Sequence, residues 1–309
     1  MSICRENAKI ELQDEALRDG LQKESRIFTL EEKLDLFQML EKAGIRRIQV
    51  GSFVHPRAVP QMADTEELIR AIGARDDVIV SALVLNRKGL ERALKCGVRH
   101  VCMSVSVSDA HSRRNIRRSA AEALETMVQL IDHALASVLS VRAGLQCVFG
   151  CVYEGDISED VVLRAAERMI RAGAEEICLA DTMGMATPCS IRQVVRRLSS
   201  EVPEARISLH LHDTRGLGLA NMFSGYEAGV RSFDSSVGGL GGCPFVQGAA
   251  GNVPTEDAVH MFEAMGMRTG IDLEAICVAV DFLEEKLGRR LPGRMRRVLE
   301  QRIGCDNIE

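Results

Sequence analysis

The sequence predicts an α/β chain wound as a closed eight-stranded parallel barrel with additional carboxyl-terminal helices, and three observations carry that expectation. Short β-branched runs alternate with longer amphipathic runs eight times along the chain. Gly44, Gly97, Gly173, Gly229 and Gly266 each close an amphipathic run, where a left-handed cap would hand the chain to the next strand. No stretch rich in Pro, Ser or Gly marks a linker to a second domain. A doubly wound open sheet is the competing architecture.

In order, the units are KIEL with TLEEKLDLFQMLEKAG, IRRIQVGS with DTEELIRAIG, VIVSALVL with KGLERALKCG, and HVCMSVSVS with AAEALETMVQLIDHALA. The second half runs VRAGLQCVFG with EDVVLRAAERMIRAG, EEICLAD with SIRQVVRRLSS, ISLHLHD with GLANMFSGYEAG, and SFDSSV with TEDAVHMFEAMG. DLEAICVAVDFLEEKLGRRLPGRMRRVLEQRIG then reads as two further helices. The expectation is one (β/α)8 TIM-barrel domain over 1–309, with the barrel at about 8–265 and the extra helices at about 271–303.

With 309 residues, 46% of them hydrophobic, the chain can bury a barrel-sized core. A net charge of -5 gives no global attraction to nucleic acid or to an anionic membrane, so neither is an expected partner. The 10 cysteines are scattered singly from Cys4 to Cys305, and Cys147 with Cys151 is a pair without a second half, which argues for reduced thiols and against structural zinc. MSICRENAKIELQ has no apolar core of a leader, and no apolar run is long enough to span a bilayer. A cytoplasmic protein is expected.

Barrel enzymes carry their chemistry at the carboxyl ends of the strands. Arg18 and Asp19 follow the opening strand; such a pair is more often solvated than functional, but its position favours a site. His210 and His212 stand two apart on ISLHLHD, so both imidazoles project from one strand face, the interior of a barrel. A lone buried histidine is usually a packing residue, whereas an alternate pair at a strand end suits a metal. Asp19 and Asn252 are candidates to complete the ligand set. Nitrogen and oxygen donors without thiolate favour Mg²⁺ or Mn²⁺, with Zn²⁺ the weaker fit. Between Val237 and Asn252 lie six glycines and Cys243, a composition suited either to a surface loop or to one that closes over a ligand with Cys243 as acid or base.

Several stretches together carry a resemblance. They are RDGLQ at Arg18–Gln22, SFVHP and VPQMAD within Ser52–Asp64, YEG at Tyr153–Gly155, and Asp181, Thr182 and Gly184. HLHDT at His210–Thr214, LAN at Leu219–Asn221 and DSSVGGLGGCPFVQGAAGN at Asp234–Asn252 complete the set. The chain resembles the 3-hydroxy-3-methylglutaryl-CoA lyase family, part of a barrel superfamily that also contains isopropylmalate synthase. The resemblance implies retro-Claisen cleavage of a 3-hydroxyacyl-CoA to acetyl-CoA and a 3-oxo acid. It makes Asp19, His210, His212 and Asn252 the ligands of a divalent cation, and Arg18, Asp19, His210 and Cys243 the catalytic residues. Arg18 would stabilise the enolate and Cys243 would transfer a proton. Gln22, Gln49, Ser52, Thr182 and Arg114 are expected to contact substrate, and a homodimer or higher homo-oligomer is expected.

Two departures accompany the resemblance. Gln49 stands where the family has a glutamate at the end of the second strand, and Ser25 stands where many lyases have a lysine. The amide is expected to retune substrate preference. Arg113, Arg114, Arg117 and Arg118 form either a solvated loop or a patch for the phosphates of coenzyme A. The alternatives are a Claisen-type acyltransferase condensing an acyl-CoA with a 2-oxo acid, as the prefix DEALRDG suggests, and a non-catalytic barrel that binds a CoA ester. Cys243 in its glycine-rich setting favours the lyase.

Overall fold

Parallel pairing closes the sheet. Strands β1 (Glu11–Asp14), β2 (Arg47–Ser52), β3 (Ile79–Leu83), β4 (His100–Ser106), β5 (Ser140–Gln146), β6 (Glu176–Ala180), β7 (Arg206–His210) and β8 (Ser232–Ser235) pair in chain order, and β8 returns to β1 through Glu11 opposite Ser232. The computed structural model describes residues 8–241 and 251–305, with side chains up to residue 300. An open sheet is thereby excluded.

Helices α1 (Leu30–Lys42), α2 (Thr65–Ile72) and α3 (Arg87–Cys96) follow the first three strands. After β4 come α4 (Asp109–Ile116) and α5 (Ala120–Ala136). Helices α6 (Glu159–Arg171), α7 (Pro188–Glu201), α8 (Gly218–Glu227) and α9 (Thr255–Ala264) follow β5 to β8. Beyond the barrel lie α10 (Leu273–Leu287), packed against α1 and α9, and α11 (Met295–Cys305). Local chemistry sets the boundaries: Thr29 and Ser119 each open a helix with a reciprocal capping box to Glu32 and Glu122. Gly97 closes α3 in the left-handed conformation at φ 85°, which a side chain would strain.

Two elements differ from the sequence expectation. β1 takes up ELQD rather than KIEL, and Lys9 makes only an isolated bridge to Arg268. The ladder runs through polar Gln13 and Asp14, which a scan for β-branched residues passes over. Arg117 and Arg118 of the basic cluster after β4 lie in the connection to α5, but Arg113 and Arg114 belong to the short helix α4 rather than to a loop. Ser108 caps it, and Asp109 in its first turn pairs with Arg113 one turn later, at 2.6 Å.

The sheet is covered on both faces, as a parallel sheet requires. On β5, Val141, Ala143 and Leu145 are fully buried in the main hydrophobic core, while Arg142, Gly144 and Gln146 alternate with them and line an interior cavity. Below the cavity the interior is ionic rather than aliphatic. Arg47 meets Glu11 at 2.6 Å and Glu176 at 3.0 Å, and Arg142 meets Glu176 at 2.6 Å and Asp234 at 2.7 Å. Paired in this way, the buried charges avoid the cost of isolated ions and leave space above them.

Candidate metal centre and active site

The site is assembled from the first, seventh and last strand ends. After β1 the chain makes one π-helical turn over Ala16–Gly20, in which Gly20 N–H reaches back to Glu15 O at 3.1 Å. This wide turn sets Arg18 and Asp19 side by side at the cavity. Asp14 fastens the first loop to the last. Its carboxylate accepts from Ala16 N at 2.8 Å, Val237 N at 2.9 Å and Thr255 Oγ1 at 2.8 Å.

His210 ends β7, and His212 lies just beyond it in a bridge to Asn252. Their Nε2 atoms converge to 3.1 Å, with Asp19 Oδ2 3.9 Å from His212 Nε2. One donor atom from each of Asp19, His210 and His212 falls within 4.8 Å of the others, and all three residues are buried. Asn252 Nδ2 donates to Asp19 Oδ2 at 2.8 Å and to Leu240 O at 3.2 Å, while its Oδ1 is buried without a partner. Gly241 keeps this corner open, because a Cβ there would lie 2.7 Å from Asn252 Nδ2.

The donor set fits a divalent cation. Ligands at about 2.1 Å from one ion and at right angles to each other stand about 3 Å apart, which is the Nε2 separation here. Burial and the neighbouring His210 push His212 down to about 4, leaving a neutral imidazole suited to coordination. Burial would raise the Asp19 carboxyl, but Arg18, His210 and His212 outweigh it and hold the group well below the usual carboxylate range. For His210, burial favours the neutral ring, yet Asp234, Asp19 and Glu15 overcome it and raise the group. Asp234 Oδ2 sits 3.0 Å from His210 Nδ1, the carboxylate–histidine arrangement that fixes which nitrogen faces a metal.

A cavity of about 610 Å³ opens above this cluster. Arg18, Asp19, Gln22, Gln49, Thr182, His210 and His212 all line it, so the structure brings together most of the residues expected from the sequence. Gln22 Nε2 donates to Asp19 Oδ1 at 2.9 Å, and Thr182 Oγ1 accepts from Cys147 N at 2.9 Å. Ser52 is buried but outside the cavity lining, exchanging hydrogen bonds with Thr65 on α2. Arg114 is exposed on α4, with its guanidinium 4.1 Å from the centre of the Tyr153 ring. Cys243 lies outside the described residues.

Sequence reasoning passed over Glu15, Lys23, Arg142 and Asp234. Lys23 lines the cavity from two positions before Ser25, so a lysine is supplied to the site although position 25 lacks one. Asp234 opens the DSSV motif, and Arg142 stands at an interior position by the period-2 alternation of β5; either signal could have found them.

A parallel barrel with a carboxylate–histidine–amide cluster at the carboxyl ends of its strands is the architecture of a metal-dependent barrel enzyme. The chain matches the model of the HMGL-like family over residues 9–283, and it belongs to that family. It is 39% identical to hydroxymethylglutaryl-CoA lyase of Bacillus subtilis over 94% of this chain and 98% of that one. It is also 39% identical to the (R)-citramalyl-CoA lyase of Chloroflexus aurantiacus, over 90% and 91% respectively. The crystal structure of hydroxymethylglutaryl-CoA lyase from Pseudomonas aeruginosa superposes with a TM-score of 0.91 at 37% identity, covering 98% of this chain and all of that one.

Proposed function

We propose that this chain is a divalent-metal-dependent carbon–carbon lyase. It cleaves a 3-hydroxyacyl-CoA, 3-hydroxy-3-methylglutaryl-CoA or a close relative, to acetyl-CoA and an oxo acid, which is a 3-oxo acid for 3-hydroxy-3-methylglutaryl-CoA and a 2-oxo acid for citramalyl-CoA. The observation that carries the reading is the convergence of Asp19, His210 and His212 beside Arg18 at one cavity. Curated relatives with lyase activity support it, and neither the condensing nor the non-catalytic alternative gains support from them.

Asp19, His210, His212 and Asn252 would hold the cation, with Mg²⁺ or Mn²⁺ the best match to the donors. The ion supplies Lewis acidity toward oxygens that reach it. In the reaction the 3-hydroxyl loses its proton, the C2–C3 bond breaks, C3 becomes a ketone, and the electron pair passes into the thioester enolate. The hydroxyl proton falls to the Asp19 and His210 pair. Within that pair the acceptor is the Asp19 carboxylate at the cavity, because His210 has Nδ1 on Asp234 and Nε2 turned to the candidate metal position, where it orients the site. Arg18 faces the enolate oxygen, where a guanidinium stabilises developing charge. Cys243 returns a proton to C2. Gln22, Gln49 and Thr182 bound the acyl group, and the exposed Arg113, Arg114, Arg117 and Arg118 at α4 offer guanidinium groups to the coenzyme A phosphates.

The test separates cleavage from condensation. Purified protein with Mn²⁺ should release acetyl-CoA from 3-hydroxy-3-methylglutaryl-CoA or citramalyl-CoA. Release of free coenzyme A from acetyl-CoA plus a 2-oxo acid, without cleavage of either ester, would overturn the reading.

A further inference from the structure

Three side chains hold the Arg18 guanidinium, one at each nitrogen. Nε donates to Gln49 Oε1, Nη1 to Asp19 Oδ1 at 2.6 Å, and Nη2 to Glu15 Oε2 at 2.6 Å. A guanidinium has five N–H groups, so one on each terminal nitrogen remains for a substrate oxygen. Asp19 belongs to the candidate metal centre. Among the described residues Glu15 is therefore the carboxylate that pairs with Arg18 without also being a candidate ligand.

Glu15 is completely buried. Its other oxygen accepts from Gln13 Nε2 at 2.6 Å, and Arg142 Nη1 lies 3.9 Å away. Burial raises the carboxyl on balance, with Arg18 opposing it, but the contacts are those of a carboxylate: each oxygen accepts one donor, and one of the donors is a permanently charged guanidinium at 2.6 Å. A buried, ionised, fully hydrogen-bonded side chain that does not line the cavity has no contact to make with substrate. Its contacts orient Arg18.

We propose that Glu15 is a positioning residue for Arg18 and that it acts in complement with Gln49. Glu15 supplies the balancing charge, and Gln49 supplies a neutral acceptor on the Nε edge. The inference rests on the lyase reading above. It gives the amide at position 49 a reason. A glutamate there would put three carboxylates on one guanidinium, and like charges crowded around a buried cation repel each other and compete for its N–H groups. The negative charge beside Arg18 then comes from the end of β1, and the end of β2 has to be neutral. On this proposal the amide at position 49 serves the orientation of Arg18 from within the cavity lining.

The experiment is a double-mutant cycle on the metal-loaded protein with Glu15→Gln, Gln49→Glu and the combination. The readouts are kcat and KM for 3-hydroxy-3-methylglutaryl-CoA, acetyl-CoA affinity by calorimetry, and thermal melting. Each single substitution should lower kcat by about 10- to 100-fold with KM and acetyl-CoA affinity within about threefold, because a misaimed Arg18 is felt in the transition state. The double variant should recover to within about fivefold of the parent, a coupling that independent structural defects would not produce. Losses that multiply in the double variant would overturn the proposal, as would full activity in Gln49→Glu alone. If Glu15→Gln fails to melt cooperatively, Gln49→Glu decides by itself: a tenfold loss at unchanged melting supports the proposal, and full activity sinks it. Absence of turnover by the parent protein on every ester would instead defeat the lyase reading.

Discussion

Asp234→Asn removes one charge from the point where the metal centre meets the ionic floor of the barrel. Asp234 accepts there from Arg142 Nη2 at 2.7 Å, from Arg142 Nη1 at 3.1 Å and from Cys178 Sγ at 3.8 Å, and its Oδ2 lies 3.0 Å from His210 Nδ1. The asparagine can present its oxygen to only some of these donors, and its amide NH₂ must face one of them. His210 then loses the carboxylate that raises its basicity and fixes its Nδ1–H form. Losing such a partner typically weakens metal binding or activity by about 10- to 100-fold, or about 1.4 to 2.7 kcal/mol. The fold should survive, because Arg142 keeps Glu176 at 2.6 Å and Ser208 at 2.9 Å. The assay is Mn²⁺ titration by calorimetry alongside kcat at saturating metal. An Asp234→Asn protein that binds Mn²⁺ and turns over like the parent would refute the assignment of His210 as an oriented ligand.

Two other predictions concern the last loop and the helix behind it. Cys243→Ser should cut kcat by about two to four orders of magnitude while acetyl-CoA binding holds, if the thiol transfers a proton in the transition state; an undiminished kcat would make Cys243 a packing residue. Glu256 is completely buried, with Oε1 unpartnered, and burial pushes it up to about 8 from an ordinary 4.5. A folded-state value raised in this way contributes stability below about 4.5 that is lost as pH rises through about 8, on the order of a few kcal/mol. Thermal melting should therefore fall by several degrees between pH 6 and pH 9, a loss that Glu256→Gln should largely remove; equal slopes in the two proteins would contradict this.

The barrel was legible because strand–helix alternation is written in local periodicity, and Gly44, Gly97, Gly173, Gly229 and Gly266 all take positive φ where the helices end. The two histidines were legible for the same reason: a separation of two on a strand implies one face, and the Nε2 atoms do meet. The remaining site depends on distances that periodicity does not encode. Glu15 reaches Arg18 because a π turn intervenes, and Asp234 reaches Arg142 across the barrel from β8 to β5. Ser52 shows the reverse. It belongs to a motif at a strand end, yet the register slip between Gln49 and Gly51 precedes it and its partner is Thr65, not the cavity. Sequence order alone does not carry that slip.

The most direct measurement is acetyl-CoA formation from 3-hydroxy-3-methylglutaryl-CoA and citramalyl-CoA before chelation, after chelation and after metal is restored, in the parent protein and in His212→Ala. The account predicts turnover that disappears with the metal, returns with Mn²⁺ or Mg²⁺, and is not restored in His212→Ala at the same metal concentration. Turnover that persists in a protein shown by elemental analysis to be metal-free, or that is unchanged in His212→Ala, would contradict it.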